Sequence, residues 1–345
     1  MTATPADDPA GDATGRRPVP LPANQPERFY RGGAAIAALR GTEPREFGPE
    51  DWVASCTTLH GRRDLGLSAL PSGTLLRDAV AEHAEDWLGA THLARYGVDS
   101  ALLVKLLDAG QRLPVHCHPS DEFAAAHYGS RYGKTEAWIV VDAAPGATVH
   151  LGFTEDRSPE TVADWVARQD TAAMLGALNE VPVRAGDTVF VPAGLPHAIG
   201  AGVFIVELQQ PTDLSVTLEW KGFLDDEAGG HLGLGFETAL ACVDRRGWAD
   251  RLDTLVHGDE PGAAPLRDLF GAPAREFFRA ERVRAGAELA PSFAVLVALS
   301  GTGVLRTEHA GDVPVSAGET FVLPHAAGAT TVDGDVSAVR CLPPL

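Results

Sequence analysis

AGDTVFVPAG, residues 185–194, returns near the end of the chain as AGETFVLPHA, residues 317–326. In each copy a glycine turn precedes an apolar run, and a proline follows it. Proline has no N–H to donate to a strand ladder, so it ends the strand. A repeat of this kind predicts two copies of one β unit.

The sequence around these copies is typical of antiparallel strands. Short apolar runs such as EAWIVVDA, ATVHLGF and GVFIVELQQ alternate with Gly, Pro and Asp. Two stretches, residues 159–180 and 235–256, instead space apolar residues three and four apart, which predicts amphipathic helices. We expect a mainly β fold of two jelly-roll barrels with an added α-helical segment.

The composition excludes several classes of partner. Across 345 residues the formal net charge is −19, which argues against nucleic acid because phosphate binding needs clustered Lys and Arg. No apolar run approaches the roughly 20 residues that span a bilayer, and the N-terminus lacks a signal peptide's apolar core. We therefore expect a cytoplasmic protein with no membrane contact. The four cysteines have no paired spacing and are expected to be reduced thiols.

A histidine pair lies in LPVHCHP, residues 113–119. On a strand, side chains alternate between faces, so His116 and His118 share one face and Cys117 takes the other. Two histidines in this spacing, without further evidence, are more often simply polar residues on a half-exposed strand. Further residues change that balance: Glu136 opens the next apolar run, and His197 follows the first copy of the repeat.

Together these residues match two motifs of the cupin superfamily, GKTEAWIVV and GDTVFVPAGLPHAIG, with an insert between His118 and Glu136. With ALLVKLLDAGQRLPVHCHPSDEFA and GVFIVELQQPTD, the chain resembles the short bacterial form of type I mannose-6-phosphate isomerase. The resemblance covers most of the chain and is strongest between Lys105 and Asp213. It extends weakly upstream, where EDWVAS resembles the family's Glu-Ser-Trp-Glu segment.

The resemblance implies a divalent metal, zinc in the family, on His118, Glu136 and His197. His116 stands where the family has a glutamine ligand. Three imidazoles and a carboxylate suit Zn²⁺, and equally Fe²⁺, Mn²⁺ or Ni²⁺. In the second copy the position of His197 is Ala329, so that copy is expected to be degenerate and metal-free.

This assignment sets the expected domains. Residues 1–24, rich in Pro, Ala, Gly and Asp, predict a disordered N-terminal tail. Residues 25–221 would form the metal-binding cupin domain, with a helical insert near 156–180. A helical segment over 222–270 and a degenerate C-terminal cupin over 271–345 would follow.

The implied activity is aldose–ketose isomerisation, in which a proton moves between C1 and C2 through an enediol. Candidate bases are Glu207 and Lys134, with Glu207 ranked slightly higher, although each could equally be a paired or solvated charge. Lys105, a charge within an apolar run, lines the substrate pocket in the family. Gln111 is a further polar candidate for substrate binding.

One departure affects the expected substrate. Thr217 stands where the family has an active-site arginine, and a threonine cannot replace a bidentate guanidinium. Lys221 compensates only if no bulge intervenes between the two positions. The expected partner is a small-molecule sugar or sugar phosphate, bound by a monomer or homodimer. Alternatives are an isomerase of a different or non-phosphorylated sugar, a non-catalytic sugar-binding cupin, and an iron-dependent oxygenase.

Overall fold

The computed structural model describes residues 12–258, 262 and 264–345, which form two β units of two sheets each. The first strand is β1 (Val19–Pro20). The strands of the first unit are β2 (Glu50–Val53), β3 (Leu103–Asp108), β4 (His116–Cys117), β5 (Glu136–Ala143), β6 (Thr148–Phe153), β7 (Leu178–Pro182), β8 (Thr188–Val191), β9 (His197–Ile199), β10 (Val203–Gln209), β11 (Val216–Thr217) and β12 (Val256–His257). Its larger sheet has the order β12-β8-β5-β10-β3-β2, and its smaller sheet β11-β4-β9-β6-β7.

The second unit repeats this arrangement. Its strands are β13 (Leu266–Asp268), β14 (Arg279–Val283), β15 (Glu288–Leu289), β16 (Ala294–Ser300), β17 (Thr302–Thr307), β18 (Gly311–Ser316), β19 (Thr320–Leu323), β20 (Thr330–Gly334) and β21 (Ser337–Leu342). The sheet orders are β1-β19-β16-β21-β14-β13 and β15-β20-β17-β18. Strands β8 and β19, which carry the sequence repeat, occupy the same place in their sheets. The predicted mainly β fold of two related units is confirmed.

The two larger sheets are buried on both faces. Along β5, Trp138 packs into the core between the two sheets of the first unit, while Ile139 packs into a core shared with the second unit. Along β16, Val295 joins that shared core and Leu296 faces the core of its own unit. Both faces of these strands are therefore buried away from water, which explains their nearly continuous apolar sequences.

The helices cover the edges of the β units. They are α1 (Ala35–Arg40), α2 (Leu76–Glu82), α3 (Ala84–Leu88), α4 (Ala90–Tyr96), α5 (Asp121–Tyr128), α6 (Pro159–Arg168), α7 (Thr171–Gly176), α8 (Glu227–Gly230) and α9 (Phe236–Ala239). Short 3-10 helices lie at Asp12–Thr14, Leu240–Cys242, Ala249–Thr254, Ala272–Ala274 and His325–Ala327. Within the described ranges, no helix is both long and apolar enough to cross a membrane.

The helical stretch predicted over residues 159–180 is present but divided. Helix α6 begins at a Ser158 cap and ends at Gln169, whose φ of 52° is left-handed. The Asp170 carboxylate then accepts the Ala173 N–H and starts α7. Strand β7 begins at Leu178, so the last residues of the predicted helix belong to a sheet instead.

The prediction of one amphipathic helix over residues 235–256 is wrong. Between α9 and the turn at Ala249–Thr254, the Asp244 carboxylate accepts the Arg246 N–H and the Trp248 indole N–H. These side-chain bonds compete with helical ones, and Gly247 further weakens a helix at this point. The predicted helical segment 222–270 also contains β13, which pairs with β14, so the second unit begins before residue 271.

The prediction of a disordered tail over residues 1–24 is wrong for residues 12–24, and residues 1–11 lie outside the described residues. Strand β1 pairs with β19, setting Val19 opposite Val322. Val19 and Leu21 are buried, and the Asn24 N–H donates to Asp51 at 2.7 Å. The prediction failed because it used the average composition of the segment, which does not reflect these few apolar side chains or their backbone pairing.

Arg40, the last residue of α1, links the N-terminal segment to both units. Its guanidinium lies 3.1 Å from Asp51, whose carboxylate is fully buried on β2. It also donates to the Thr320 hydroxyl at 2.9 Å and to the carbonyl oxygens of Gly318 at 2.9 Å and Leu21 at 2.8 Å. One cation therefore joins three separate parts of the chain.

We expect Arg40→Ala to lower the free energy of unfolding by about 3–5 kcal/mol, because it leaves the Asp51 carboxylate buried without its counter-charge. Urea denaturation followed by circular dichroism measures the change. Arg184→Ala, at a largely exposed arginine, is the control and should stay within about 0.5 kcal/mol of the parent. Equal small effects of the two substitutions would contradict this account.

Candidate metal centre

Three histidines converge on the smaller sheet of the first unit. His116 on β4 pairs directly with His197 on β9, and their ring centroids are 4.1 Å apart. His118 follows β4, with its ring centroid 5.0 Å from each of the other two. Potential ligand atoms of the three histidines lie within 4.8 Å of one another, so the group could hold a metal ion. Cys117 points the other way, its sulfur 3.6 Å from that of Cys242.

Backbone carbonyls orient the three imidazoles. The Nδ1 atoms of His116 and His197 each lie 2.8 Å from a carbonyl oxygen two residues earlier, and that of His118 lies 3.0 Å from the Leu214 oxygen. Because a carbonyl oxygen only accepts, each Nδ1 carries the proton and each Nε2 keeps a lone pair in the neutral ring. Burial and nearby Lys134 lower the pKa of His118 to about 3, which favours the neutral ring.

Glu136 completes the cluster from the larger sheet. Its carboxylate lies 3.0 Å from His118 Nε2 and 3.3 Å from His197 Nε2, and it accepts the Trp138 indole N–H at 3.0 Å. Although burial opposes ionisation, Lys134 at 2.9 Å holds the pKa of Glu136 well below its usual range. Among the described residues, His197 Nε2 is buried without a hydrogen-bond partner, and Glu136 Oε2 forms no hydrogen bond although the Lys134 ammonium lies 2.9 Å away as an ionic partner. A divalent cation would satisfy both atoms, so these residues fit a metal.

A chain of alternating charges continues from this cluster. Lys105 on β3 pairs in register with Glu207 on β10, with an Nζ to Oε1 distance of 3.4 Å. The ammonium also lies 3.5 Å from Glu50 and 4.9 Å from the centre of the Trp52 ring. Lys134 approaches Glu207 to 3.7 Å. Burial raises the pKa of Glu207 above its usual range, while Lys105 acts in the opposite direction.

Sequence reasoning missed the N-terminal part of this site. Glu50 accepts hydrogen bonds from the Tyr30 hydroxyl and, at 2.6 Å, from the Trp52 indole N–H. Arg28 lies 3.3 Å from Glu50 and 3.2 Å from Asp213. The resemblance of EDWVAS to a family segment was a signal for Glu50. Arg28 and Tyr30 had no motif spacing to reveal them.

A cavity of about 50 Å³ lies beside the candidate metal centre. Its lining includes Arg28, Tyr30, Glu50, Lys105, His116, Lys134, Glu136, Glu207 and Asp213. Thr217 lies in its wall, opposite His116 in the β4–β11 register. The structure does not bring Lys221 or Gln111 to this cavity. Strand β11 ends at Thr217 and Lys221 is exposed, so the strand alternation that would have aligned the two does not hold. Gln111 is half-buried outside the cavity lining.

The second unit has alanines at the positions that correspond to two of the four ligands, Glu136 and His197. Glu136 pairs with Val191 across β5 and β8, while Ala294 pairs with Leu323 across β16 and β19. Since the repeat aligns Val191 with Leu323, Ala294 stands where the first unit has Glu136. Ala329 likewise stands at the position of His197. A methyl group offers no donor atom to a metal.

The ion pair between the central strands persists there with its charges exchanged, although its carboxylate is only partly buried. Arg340 on β21 corresponds to Glu207, and Glu281 on β14, which pairs with it in register, corresponds to Lys105. The Arg340 guanidinium lies 3.2 Å from the Glu281 carboxylate. It also donates to the Ala290 carbonyl oxygen at 2.6 Å.

Comparisons with known proteins show what the chain as a whole is similar to. No protein-family model matches the chain. A protein of Streptococcus mutans named mannose-6-phosphate isomerase is 37% identical over 153 residues, 43% of this chain and 47% of that protein. The chain thus matches about half the length of that relative. The probable mannose-6-phosphate isomerase GmuF of Bacillus subtilis is 27% identical over 317 residues, 89% of this chain and 93% of that protein.

Solved structures share the fold over nearly the whole chain. Mannose 6-phosphate isomerase from Bacillus subtilis superposes with a TM-score of 0.73 at 23% identity, covering 94% of this chain and 99% of that one. A putative mannosephosphate isomerase from Archaeoglobus fulgidus gives 0.72 at 21% identity, covering 96% and 98%. Fold and site define a two-unit cupin protein with a candidate metal centre. Proteins named mannose-6-phosphate isomerase are thus similar to this chain over most of its length, in line with the resemblance of its motifs.

The charges around Glu50 predict a specific acid sensitivity. Although burial favours the protonated form, Arg28 and Lys105 lower the pKa of Glu50 to about 2. An unfolded glutamate titrates near 4.3, so the stabilisation is complete above that pH and is lost as the pH falls through about 2. We expect Glu50→Gln to lower the free energy of unfolding by about 3 kcal/mol at pH 7, with the difference shrinking below pH 4.5.

Urea denaturation at pH 7, 4 and 3 measures this difference. Glu155→Gln, which alters a largely exposed carboxylate, serves as the control. A deficit of Glu50→Gln that stays constant over this range would contradict the assigned charge pairing.

Proposed function

We propose that the chain is a metal-dependent aldose–ketose isomerase of the mannose-6-phosphate isomerase type. It moves a proton between C1 and C2 of a sugar phosphate through an enediol. The observation that carries the proposal is the buried cluster of His116, His118, Glu136 and His197, with Glu207 close by. The named activity of the relatives supports the same assignment.

The four cluster residues are the proposed ligands, and zinc is the proposed metal. Three neutral imidazoles and one carboxylate also suit Fe²⁺, Mn²⁺ or Ni²⁺, so supply in the cell contributes to the choice. A bound divalent ion would act as a Lewis acid for the sugar oxygens at C1 and C2. The first unit carries this chemistry, and the alanines of the second unit leave it with a structural role.

Glu207 is the proposed base. Its raised pKa brings it closer to the operating pH, where a carboxylate both takes up and returns a proton effectively. Lys134 is the weaker candidate, because an ammonium paired with Glu136 at 2.9 Å has no lone pair to accept a proton. Lys105 and Lys134 flank Glu207 and are the proposed donors to the oxyanion that develops in the enediol.

A second candidate is isomerisation of a non-phosphorylated sugar by the same residues. The observation that favours it is Thr217, an uncharged side chain in the cavity wall at the place of the family's arginine. Turnover of free mannose in preference to mannose 6-phosphate would select this candidate. Ligand binding without turnover of either sugar would instead indicate a sugar-binding cupin.

We expect His197→Ala to lose bound metal, because the His197 ring is fully buried and its Nε2 has no alternative partner. Metal content after dialysis against Zn²⁺, measured by mass spectrometry, gives the result. The rise in melting temperature on adding Zn²⁺ should also disappear. His150→Ala changes a histidine outside the cluster and should keep both properties. Full zinc content in His197→Ala would remove this residue from the ligand set.

The activity itself is tested by a coupled assay that converts mannose 6-phosphate to fructose 6-phosphate on zinc-loaded protein. We expect Glu207→Gln to lower kcat by about 10²–10⁴ while metal content stays unchanged, because the base is lost and the ligands remain. Glu155→Gln is the matched control. The absence of turnover by fully metallated wild-type protein would contradict the proposed isomerase.

A further inference from the structure

Two cysteine side chains meet behind the candidate metal centre. Cys117 lies on β4 between His116 and His118, and its side chain packs into the apolar cluster on the other face of that strand. There its sulfur lies 3.6 Å from the sulfur of Cys242, at the end of the 3-10 helix Leu240–Cys242. Because the two residues are 125 positions apart, the tertiary fold makes this contact. A reaction between the two thiols would therefore act next to the metal ligands.

The separation of the two sulfurs favours a disulfide between them. A disulfide bond is about 2.05 Å long, so the sulfurs would have to approach each other by roughly 1.5 Å. Groups that a fold holds side by side react with each other far more readily than with partners in solution. Cys56 and Cys341 have no sulfur contact of this kind among the described residues. The pairing is thus specific to Cys117 and Cys242.

The backbone near Cys242 is held against the segment that carries a metal ligand. The Asp244 N–H donates to the Gly194 carbonyl oxygen at 2.8 Å, and the Gly194 N–H donates to the His118 carbonyl oxygen at 2.7 Å. Gly194 has a left-handed φ of 86°, and a Cβ there would lie 2.9 Å from the Cys242 carbonyl oxygen. Only Gly194 therefore separates the backbone of residues 242–244 from that of His118.

The surroundings of the two thiols differ. Cys117 is fully buried, whereas Cys242 is half-buried, so an oxidant from solvent reaches Cys242 first. The Tyr128 hydroxyl lies close to both, because burial and then Cys242 and Cys117 raise the pKa of Tyr128 to about 12. Within the described part of the chain this buried hydroxyl has no hydrogen-bond partner. Such an O–H donor can bond to the oxygen of a cysteine sulfenic acid.

We propose that Cys117 and Cys242 form a reversible disulfide on reaction with a hydroperoxide, and that this disulfide weakens metal binding by the neighbouring histidines. The Cys242 sulfur first attacks the hydroperoxide, whose O–O bond breaks, so that Cys242 becomes a sulfenic acid and an alcohol or water leaves. The Cys117 sulfur then attacks the Cys242 sulfur; the S–S bond forms, the S–O bond breaks and water leaves. The two thiols lose two electrons, and the hydroperoxide gains them.

The disulfide acts on the metal ligands through β4. His116 and His118 flank Cys117, so drawing its sulfur toward Cys242 moves both histidines relative to Glu136, which reaches the cluster from the larger sheet. A metal site holds its ligands to within about 0.5 Å, and half of an approach of roughly 1.5 Å already exceeds this tolerance. Reduction of the disulfide by a dithiol restores the strand. The cross-link itself needs neither metal nor sugar, so it is independent of the proposed isomerase.

Thiol titration of metal-free protein in denaturant, before and after treatment with hydrogen peroxide, tests the cross-link. We expect the count of free thiols to fall from four to two and to return to four with dithiothreitol. Mass spectrometry of an unreduced digest should identify two peptides joined through Cys117 and Cys242. Cys242→Ser should lose this product, whereas Cys56→Ser, which removes another half-buried thiol, should keep it. A count that stays at four, or a joined pair of other cysteines, overturns the proposal.

Competition with a chromophoric chelator for Zn²⁺ tests the effect on the metal centre. We expect the Kd of the oxidised wild type for Zn²⁺ to be about tenfold or more above that of the reduced protein, and peroxide to leave the Kd of Cys242→Ser unchanged. Equal affinity in the two redox states, or an equal loss in Cys242→Ser, overturns the proposal. Redox-dependent zinc binding in a protein that turns over no sugar would support this inference and remove the isomerase.

Discussion

A buried ammonium has to be matched by carboxylates, and Lys105 imposes this requirement on the strands beside it. Glu207 on β10 and Glu50 on β2 lie on either side of the lysine, and Trp52 covers it with its ring. Each of these carboxylates contacts a further cation, Lys134 or Arg28. Across the adjacent strands β2, β3 and β10 the buried charges therefore alternate in sign, and each one neutralises its neighbour.

The alternating charges extend from the larger sheet to the candidate metal centre. Lys134 joins the lysine–carboxylate chain to Glu136, and Glu136 faces two of the three histidines. The histidines themselves are held by backbone carbonyls, so their ring orientation is set before any ion is bound. Preorganisation of this kind lowers the cost of assembling a metal site. Charges that a solvent-exposed site would leave mobile are fixed here by burial.

Local sequence patterns predicted the parts of the site that depend on local geometry. The period of two along a strand sufficed to place His116 and His118 together, and the repeated turn–strand–proline unit sufficed to predict the duplicated β architecture. Lys105 stood out because a charge within an apolar run needs a partner. Arg28, Tyr30 and Asp213 were missed because they meet through contacts between distant parts of the chain. The helix expected over residues 235–256 failed for a related reason, since Asp244 and Trp248 make bonds that spacing alone does not encode.

Because the two units share one sheet arrangement, equivalent positions in them can be compared to find which residues the sheet itself requires. Where the first unit has Glu136 and His197, the second has alanines, so these positions are free to lose their polar groups without loss of the sheet. Where the first unit has Lys105 and Glu207, the second has a partly buried pair with reversed sign, Glu281 and Arg340. Both units therefore have an ion pair at this point of the sheet, although different residues form it. The comparison of the two units therefore distinguishes a structural requirement, which a pair of either polarity meets, from the ligand residues of the proposed metal centre, which only the first unit retains.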